Sequence, residues 1–294
     1  MTMDLNVISQ EKEGPVNVSG RGNGSSLMIN KNWRQRLKPF AAKLGVQSSS
    51  VMWSWLALRL YQKKSRSNAA YRQWAETEAP HWVVQHWGHE VVEGDVMVAH
   101  VTSQLYELTK MLRDRIGDVG DARILDAGAS DGLFLSRLGS TRGVGVNFLQ
   151  ACAQNIRDGG FAACVGNIEA LPFPDKYFDH VLCCETLEHV CNPVHTLNEL
   201  ARVCKGRIHL TIPWMPRTRI NSRPDGWPDV EGHIFEFSEK DFAKVLTHAQ
   251  VRVVYQDRVQ VFPEPLNPLT QFWLRLWMYP SFFPKLQYYE MEPL

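Results

Sequence analysis

From residue 123 onward the chain alternates short apolar runs with helix-length segments, and this alternation constrains the fold more than any other feature. Arg123–Ala127, Gly143–Val146, Ala162–Val165, His180–Cys184, Arg207–Ile212 and Val251–Val261 read as strands. Gly132–Leu138, Leu149–Arg157, Pro193–Cys204 and Ser238–Ala249 read as the helices between them. Repeated β–α units of this length predict an α/β protein with a Rossmann-like, doubly wound parallel sheet.

The flanks have a different texture. Residues 1–30 are rich in Gly, Ser and Asn without periodicity and are expected to be a disordered tail. Residues 31–118 carry four helix candidates (Asn32–Leu44, Ser50–Lys64, Asn68–Glu78 and Val98–Ile116) and are expected to form a helical cap. The core is placed at 119–262. Residues 263–294, which include QFWLRLWMYPSFFPKLQYY, are read as a C-terminal aromatic-rich extension.

Within the core, ILDAGASDGLFLSRL (Ile124–Leu138) is the most informative stretch. A buried strand ends at Asp126, and Gly128 and Gly132 bracket a tight turn into a helix. Glycine lets the backbone approach a ligand without an intervening Cβ, and a helix start offers unpaired N–H groups to an anion. The spacing is D-x-G-x-x-x-G. A dinucleotide fingerprint needs a third glycine, which disfavours a nicotinamide oxidoreductase. Asn147 ends the second strand, where an acidic residue would hold ribose hydroxyls, and Asn167 follows the third.

The order ILDAGASDG, GVGVN, GNIEALPFPDKYFDHVLCCETLEHV, HIFEFSEKDFAKVL resembles class I S-adenosylmethionine-dependent methyltransferases, most closely the ubiquinone/menaquinone-biosynthesis type. The likeness covers about Arg123–Val254. It implies a seven-stranded sheet with helices on both faces, and S-adenosyl-L-methionine as methyl donor. By that resemblance Asp126, Gly128 and Gly132, with Ser130 inside the same turn, line the methionine moiety. Asn147 and Phe148 hold the ribose and flank the adenine, and Asn167 and Ile168 meet the adenine edge. Glu185 and the Leu187-Glu188-His189 stretch sit beside the reactive methyl. The family usually has Asp or Glu at 147 and commonly Asp at 167. A neutral amide in these places gives weaker hydrogen bonds than a carboxylate.

Methyl transfer needs an aligned acceptor and exclusion of water, and a base only where the acceptor must lose a proton. His189 is the first candidate base, with Glu188 beside it and His233 in EGHIFEF as a second polar candidate; each has a structural reading as well. Trp214 is expected to wall the acceptor site. No Asn/Asp-Pro-Pro-aromatic motif follows the strand before it, which argues against amino-methylation of nucleic acid. The six cysteines form no C-x-x-C pair and read as buried free thiols, and no metal-ligand set is apparent.

Although the formal net charge is +1, Lys31–Arg66 holds nine basic residues and no acidic one. That segment and 271–289 are read either as a lid over the cleft or as a peripheral contact with an anionic membrane surface. Nucleic-acid contact finds no accompanying motif. The polar N-terminus resembles no signal peptide, so a cytoplasmic protein, with membrane association open, is the expectation. The acceptor is taken to be a small molecule or lipid. A non-catalytic binding module of the same fold is the alternative, motivated by Asn147 and Asn167. Oligomeric state is not legible.

Overall fold

The computed structural model describes residues 47–82, 96–220, 233–261 and 285–294. Before the sheet, the described residues include α1 (Gln47–Ser67), α2 (Ala69–Thr77) and α3 (Val96–Ile116). Asn68 ends α1 and starts α2, its side chain accepting from the Tyr71 N–H, a polar cap for an orphan donor. Tyr71 and Trp74 of α2 pack on Val101 and Leu105 of α3, and the Trp74 indole donates to the Thr102 carbonyl at 3.0 Å. The helix candidate at Asn32–Leu44 and the 1–30 tail lie outside the described residues.

The alternating core then follows as β1 (Arg123–Ala127), α4 (Leu133–Leu138), β2 (Arg142–Asn147), α5 (Gln150–Asp158), β3 (Ala162–Val165), β4 (Phe178–Cys184), α6 (Pro193–Val203) and β5 (Cys204–Pro213). A two-residue ladder, β6 (Arg219–Ile220) with β7 (Phe235–Glu236), precedes α7 (Glu239–Leu246), β8 (Val251–Gln260) and β9 (Lys285–Pro293). Strand positions match the periodicity to within a few residues because each apolar run is bounded by Gly, Pro, Asn or Asp.

The main sheet has seven strands in the order β3-β2-β1-β4-β5-β9-β8. All neighbours are parallel except β9, which runs antiparallel to both β5 and β8. The chain winds outward from β1 to β3 and returns to lay β4 against the other side of β1. At such a reversal the loops leaving the two strands diverge, opening a crevice at their carboxyl ends.

Alternation sends successive side chains to opposite faces. On one face Leu125, Val181, Cys183, Ile208 and Leu210 meet Leu197 and Leu200 of α6 and Phe242 of α7. On the other Ile124, Leu182 and Cys184 meet Leu112 of α3 and Leu135 of α4. The adjacent Cys183 and Cys184 thus enter different cores, and all six cysteines are free thiols.

The C-terminal residues correct the sequence reading. The core does not end at 262: Lys285–Pro293 is an interior strand, with Tyr288, Tyr289 and Met291 buried. Tyr288 and Tyr289 are therefore unavailable to a membrane surface or a lid; 271–284 lies outside the described residues. In the basic segment, Lys64 also turns inward, bonding Ser103 and pairing with Glu107, whereas Arg59, Lys63 and Arg66 are exposed. Among the described residues no helix is long and apolar enough to cross a membrane.

Beneath β9 the Tyr288 hydroxyl meets His209 Nδ1 at 2.8 Å, and His209 Nε2 meets His180 at 3.2 Å. Burial pushes His209 down to about 3, so it stays neutral. Tyr288→Phe would leave that ring nitrogen without its partner and should cost about 1–3 kcal/mol in a denaturant titration.

Candidate functional site

The turn between β1 and α4 is built from residues with left-handed backbone: Gly128 at φ 91°, Ser130 at 47° and Gly132 at 85°. The N–H groups of Gly128 and Ala129 both donate to the Val146 carbonyl, at 2.9 and 3.0 Å, lashing the turn to β2. A Cβ on Gly128 would stand 2.2 Å from Thr186 Oγ1, so only glycine lets the β4 exit pass this close.

Carboxylates converge here. Asp126 is buried at the end of β1, and its Oδ2 has no hydrogen-bond partner. Burial, reinforced by Asp131, pushes it up to about 8. Asp131 accepts the Leu133 N–H through Oδ1 at 3.2 Å, leaves Oδ2 unpartnered, and is raised by burial to about 6. Glu185 leaves β4 at φ 51°. Its backbone N–H donates to the Thr211 carbonyl at 3.0 Å, and its Oε2 accepts from Gln104 of α3 at 3.3 Å. Its Oε1 is buried without a partner, and burial raises this carboxyl to about 8. Gln104 escapes sequence reasoning, being a lone amide in a helix 81 residues before its partner.

The ends of β2 and β3 supply the next group. Asn147 and Asn167 each accept, through Oδ1, the backbone N–H two residues ahead, from Leu149 at 2.9 Å and from Glu169 at 3.0 Å. Both therefore fold their own exit loops. Phe148 is 58% exposed and Ile168 is buried.

After β4 a single 3-10 turn, Leu187–His189, buries Glu188 with neither carboxylate oxygen partnered. The Ile234 N–H donates to the Glu188 carbonyl at 2.8 Å. That bond seats His233 against His189, ring centroids 4.8 Å apart and edge to face. The adjacent Glu188 and His189 thus form one cluster with the distant His233. Trp214 is placed elsewhere. Arg258 lies 5.5 Å over its ring, and it lines a cavity of about 530 Å³ with Thr218, Ser238 and Asp241. None of the other candidate residues named above lines that cavity.

Residues 125–210 match the family described as methyltransferase domain. A protein crystallised in complex with the Haloferax volcanii Trm112 methyltransferase activator superimposes with a TM-score of 0.53 at 19% identity, over 75% of this chain and 98% of that one. The fold is that of the S-adenosylmethionine-dependent methyltransferases. Two further structures are similar. A Leishmania major S-adenosylmethionine-dependent methyltransferase is 14% identical over 79% of this chain and 83% of its own, TM-score 0.49. Geranyl diphosphate C-methyltransferase from Streptomyces coelicolor is 15% identical over 68% and 80%, TM-score 0.49. No curated protein matches the chain. The chemistry of the site suits S-adenosylmethionine as a methyl donor. The donor carries an ammonium and a sulfonium, and the orphaned oxygens of Asp126 and Glu185 are buried acceptors that lack a cation.

Proposed function

We propose that this protein is an enzyme that moves a methyl group from S-adenosylmethionine to a small-molecule or lipid-like acceptor, as in the ubiquinone- and menaquinone-type enzymes that its motif order resembles. One observation carries the reading: two buried, unpartnered carboxylate oxygens, Asp126 Oδ2 and Glu185 Oε1, stand at the ends of the adjacent strands β1 and β4. A cation entering that crevice would relieve both, since burying a polar group without a partner is costly.

In this reading Asp126 accepts from the donor's ammonium, and the left-handed turn Gly128–Gly132 lets its carboxylate approach the backbone. The Asn147 amide faces the ribose, Phe148 covers the adenine, and Asn167 with Ile168 borders its edge. Glu185 stands on the sulfonium side, steadied by Gln104. His189 and His233 face the acceptor, and either can receive a proton where the acceptor must lose one.

Phe148→Ala should weaken donor binding about tenfold, the usual size of one base–aromatic stack, with little change in thermal stability. Calorimetry with S-adenosylhomocysteine measures the first and a melting curve the second. The activity itself is tested by incubating the purified chain with methyl-labelled donor and fractionated metabolite and lipid extracts. A labelled product heavier by about 14 Da supports the reading. Donor binding with no transfer to any fraction would favour a binding module instead.

A further inference from the structure

We infer that Glu188, His189 and His233 form a binding site for one divalent transition-metal ion, of the class that two imidazoles and a carboxylate select. One ligand atom from each residue lies within 4.8 Å of the others. His233 Nε2 stands 3.8 Å from Glu188 Oε1, too far for a hydrogen bond. It is near the roughly 3.4 Å that separates two ligands of a tetrahedral ion with bonds of about 2.0–2.2 Å. Seating the ion draws this pair in by about 0.4 Å and the widest pair of the set, at up to 4.8 Å, by up to about 1.4 Å.

The second observation is the state of Glu188. It is 1% exposed, and both carboxylate oxygens are buried with no partner. A proton could satisfy at most one of them, whereas an ion held by the two histidines neutralises the group. The other side of His233 is already arranged for ligation. Its Nδ1 faces Glu236 Oε1 at 3.5 Å, and Glu236 in turn lies 3.6 Å from Arg219. A carboxylate on the far nitrogen of a ligating histidine fixes the ring and strengthens its basicity. The bond from Ile234 to the Glu188 carbonyl and the β6–β7 ladder hold the two halves of the set in register.

Two imidazoles and one carboxylate suit Zn(II), Fe(II), Co(II) or Mn(II) and leave coordination positions open. If the methyl-transfer reading holds, the ion takes over deprotonation, His189 and His233 serving as its ligands in place of a base, and an acceptor hydroxyl occupies one of these positions. The ion lowers its pKa, the hydroxyl proton leaves to solvent, and the oxygen bonds the methyl carbon while the carbon–sulphur electron pair returns to sulphur. That step rests on the proposed function; the metal site does not.

The test uses the full chain, stripped with chelator and titrated with cobalt(II) alone. The expected result is a saturable visible band at a single equivalent, displaced by zinc(II). Glu188→Gln and His233→Asn, with unchanged circular dichroism, should each weaken cobalt binding by about 100-fold or more, and Glu236→Gln by about tenfold. No saturable band in the wild-type chain overturns the inference, as does equal cobalt affinity in both ligand variants. S-Adenosylhomocysteine affinity, read on the same stripped protein, reports on the donor reading separately.

Discussion

Asp126→Asn is expected to lower donor affinity about 100-fold while making the empty protein more stable at pH 8. Both effects follow from one buried oxygen. Asp126 is fully enclosed, its Oδ2 is unpartnered, and burial raises it to about 8. Without the donor the group is mostly protonated at pH 7. Unfolded, it would ionise near pH 4. The folded chain therefore holds the extra proton between those values, and its stability falls as pH rises from about 4 to about 8. Asn carries no titrating proton, so that contribution disappears in the variant, while those of Asp131, Glu185 and Glu188 remain in both chains. A gain on the order of 2–3 kcal/mol at pH 8, or roughly 4–12 °C, should appear in melting curves of the ligand-free protein. Donor binding moves oppositely. The ionised form is the one a cation needs, so wild-type affinity should climb between pH 6 and 8 and level off above. In the variant the climb should shrink, and the charge-assisted bond, worth about 3 kcal/mol in a buried site, is absent. Unchanged affinity in the variant would remove Asp126 from the donor site.

Gly128→Ala should be among the most damaging single-methyl additions in the chain. The new Cβ would lie 2.2, 2.4 and 2.8 Å from Thr186 Oγ1, Cγ2 and Cβ. Rotating Thr186 cannot clear both Oγ1 and Cγ2, since the two must fill two of the three staggered positions on Cβ, and it sacrifices the bond from Oγ1 to the Cys184 carbonyl. The backbone cannot yield either, because φ is 91°, a region that L-residues avoid. Overpacking and strain together should cost about 3–5 kcal/mol, and donor affinity should fall with the displaced turn. The double variant with Thr186→Gly removes the clash but not the φ cost. It should recover the larger part of the stability in a double-mutant cycle. Failure of that recovery would mean the turn and the β4 exit are not in contact.

Most of the sheet was legible because β1 to β5 obey local rules. Val, Ile and Leu runs are interrupted by residues that break strands, and the spacing of Asp126, Asn147 and Asn167 marks successive strand ends. β9 was not legible for physical reasons. It follows β8 after 24 intervening residues, and its face toward α3 buries Tyr288 and Glu290 beside the single aliphatic Leu286. Glu290 is tolerable there because Arg207 of β5 and Arg115 of α3 pair with it, the second contact 175 residues apart in sequence. The candidate site shows the same division. Asp126, Gly128, Glu185 and His189 lie in motifs that announce a strand exit, so their types and spacing point to a crevice. His233 was singled out alone. Its partnership with Glu188 depends on the Ile234 backbone bond, which no local pattern encodes. Gln104 leaves no trace in the sequence beyond being an amide on a buried helix face. Trp214 was expected at the acceptor site because it follows β5, but its ring packs under Arg258 beside a different cavity.

The placement of the donor in the β1–α4 turn is tested most directly by photochemical attachment. The intact chain is saturated with methyl-labelled S-adenosylmethionine, irradiated, digested and mapped. The account predicts saturable labelling, competed by S-adenosylhomocysteine, in the peptides that contain Asp126–Gly132, Phe148 or Glu185. Absence of saturable binding at millimolar donor, or label confined to the cavity lined by Trp214 and Arg258, would contradict it.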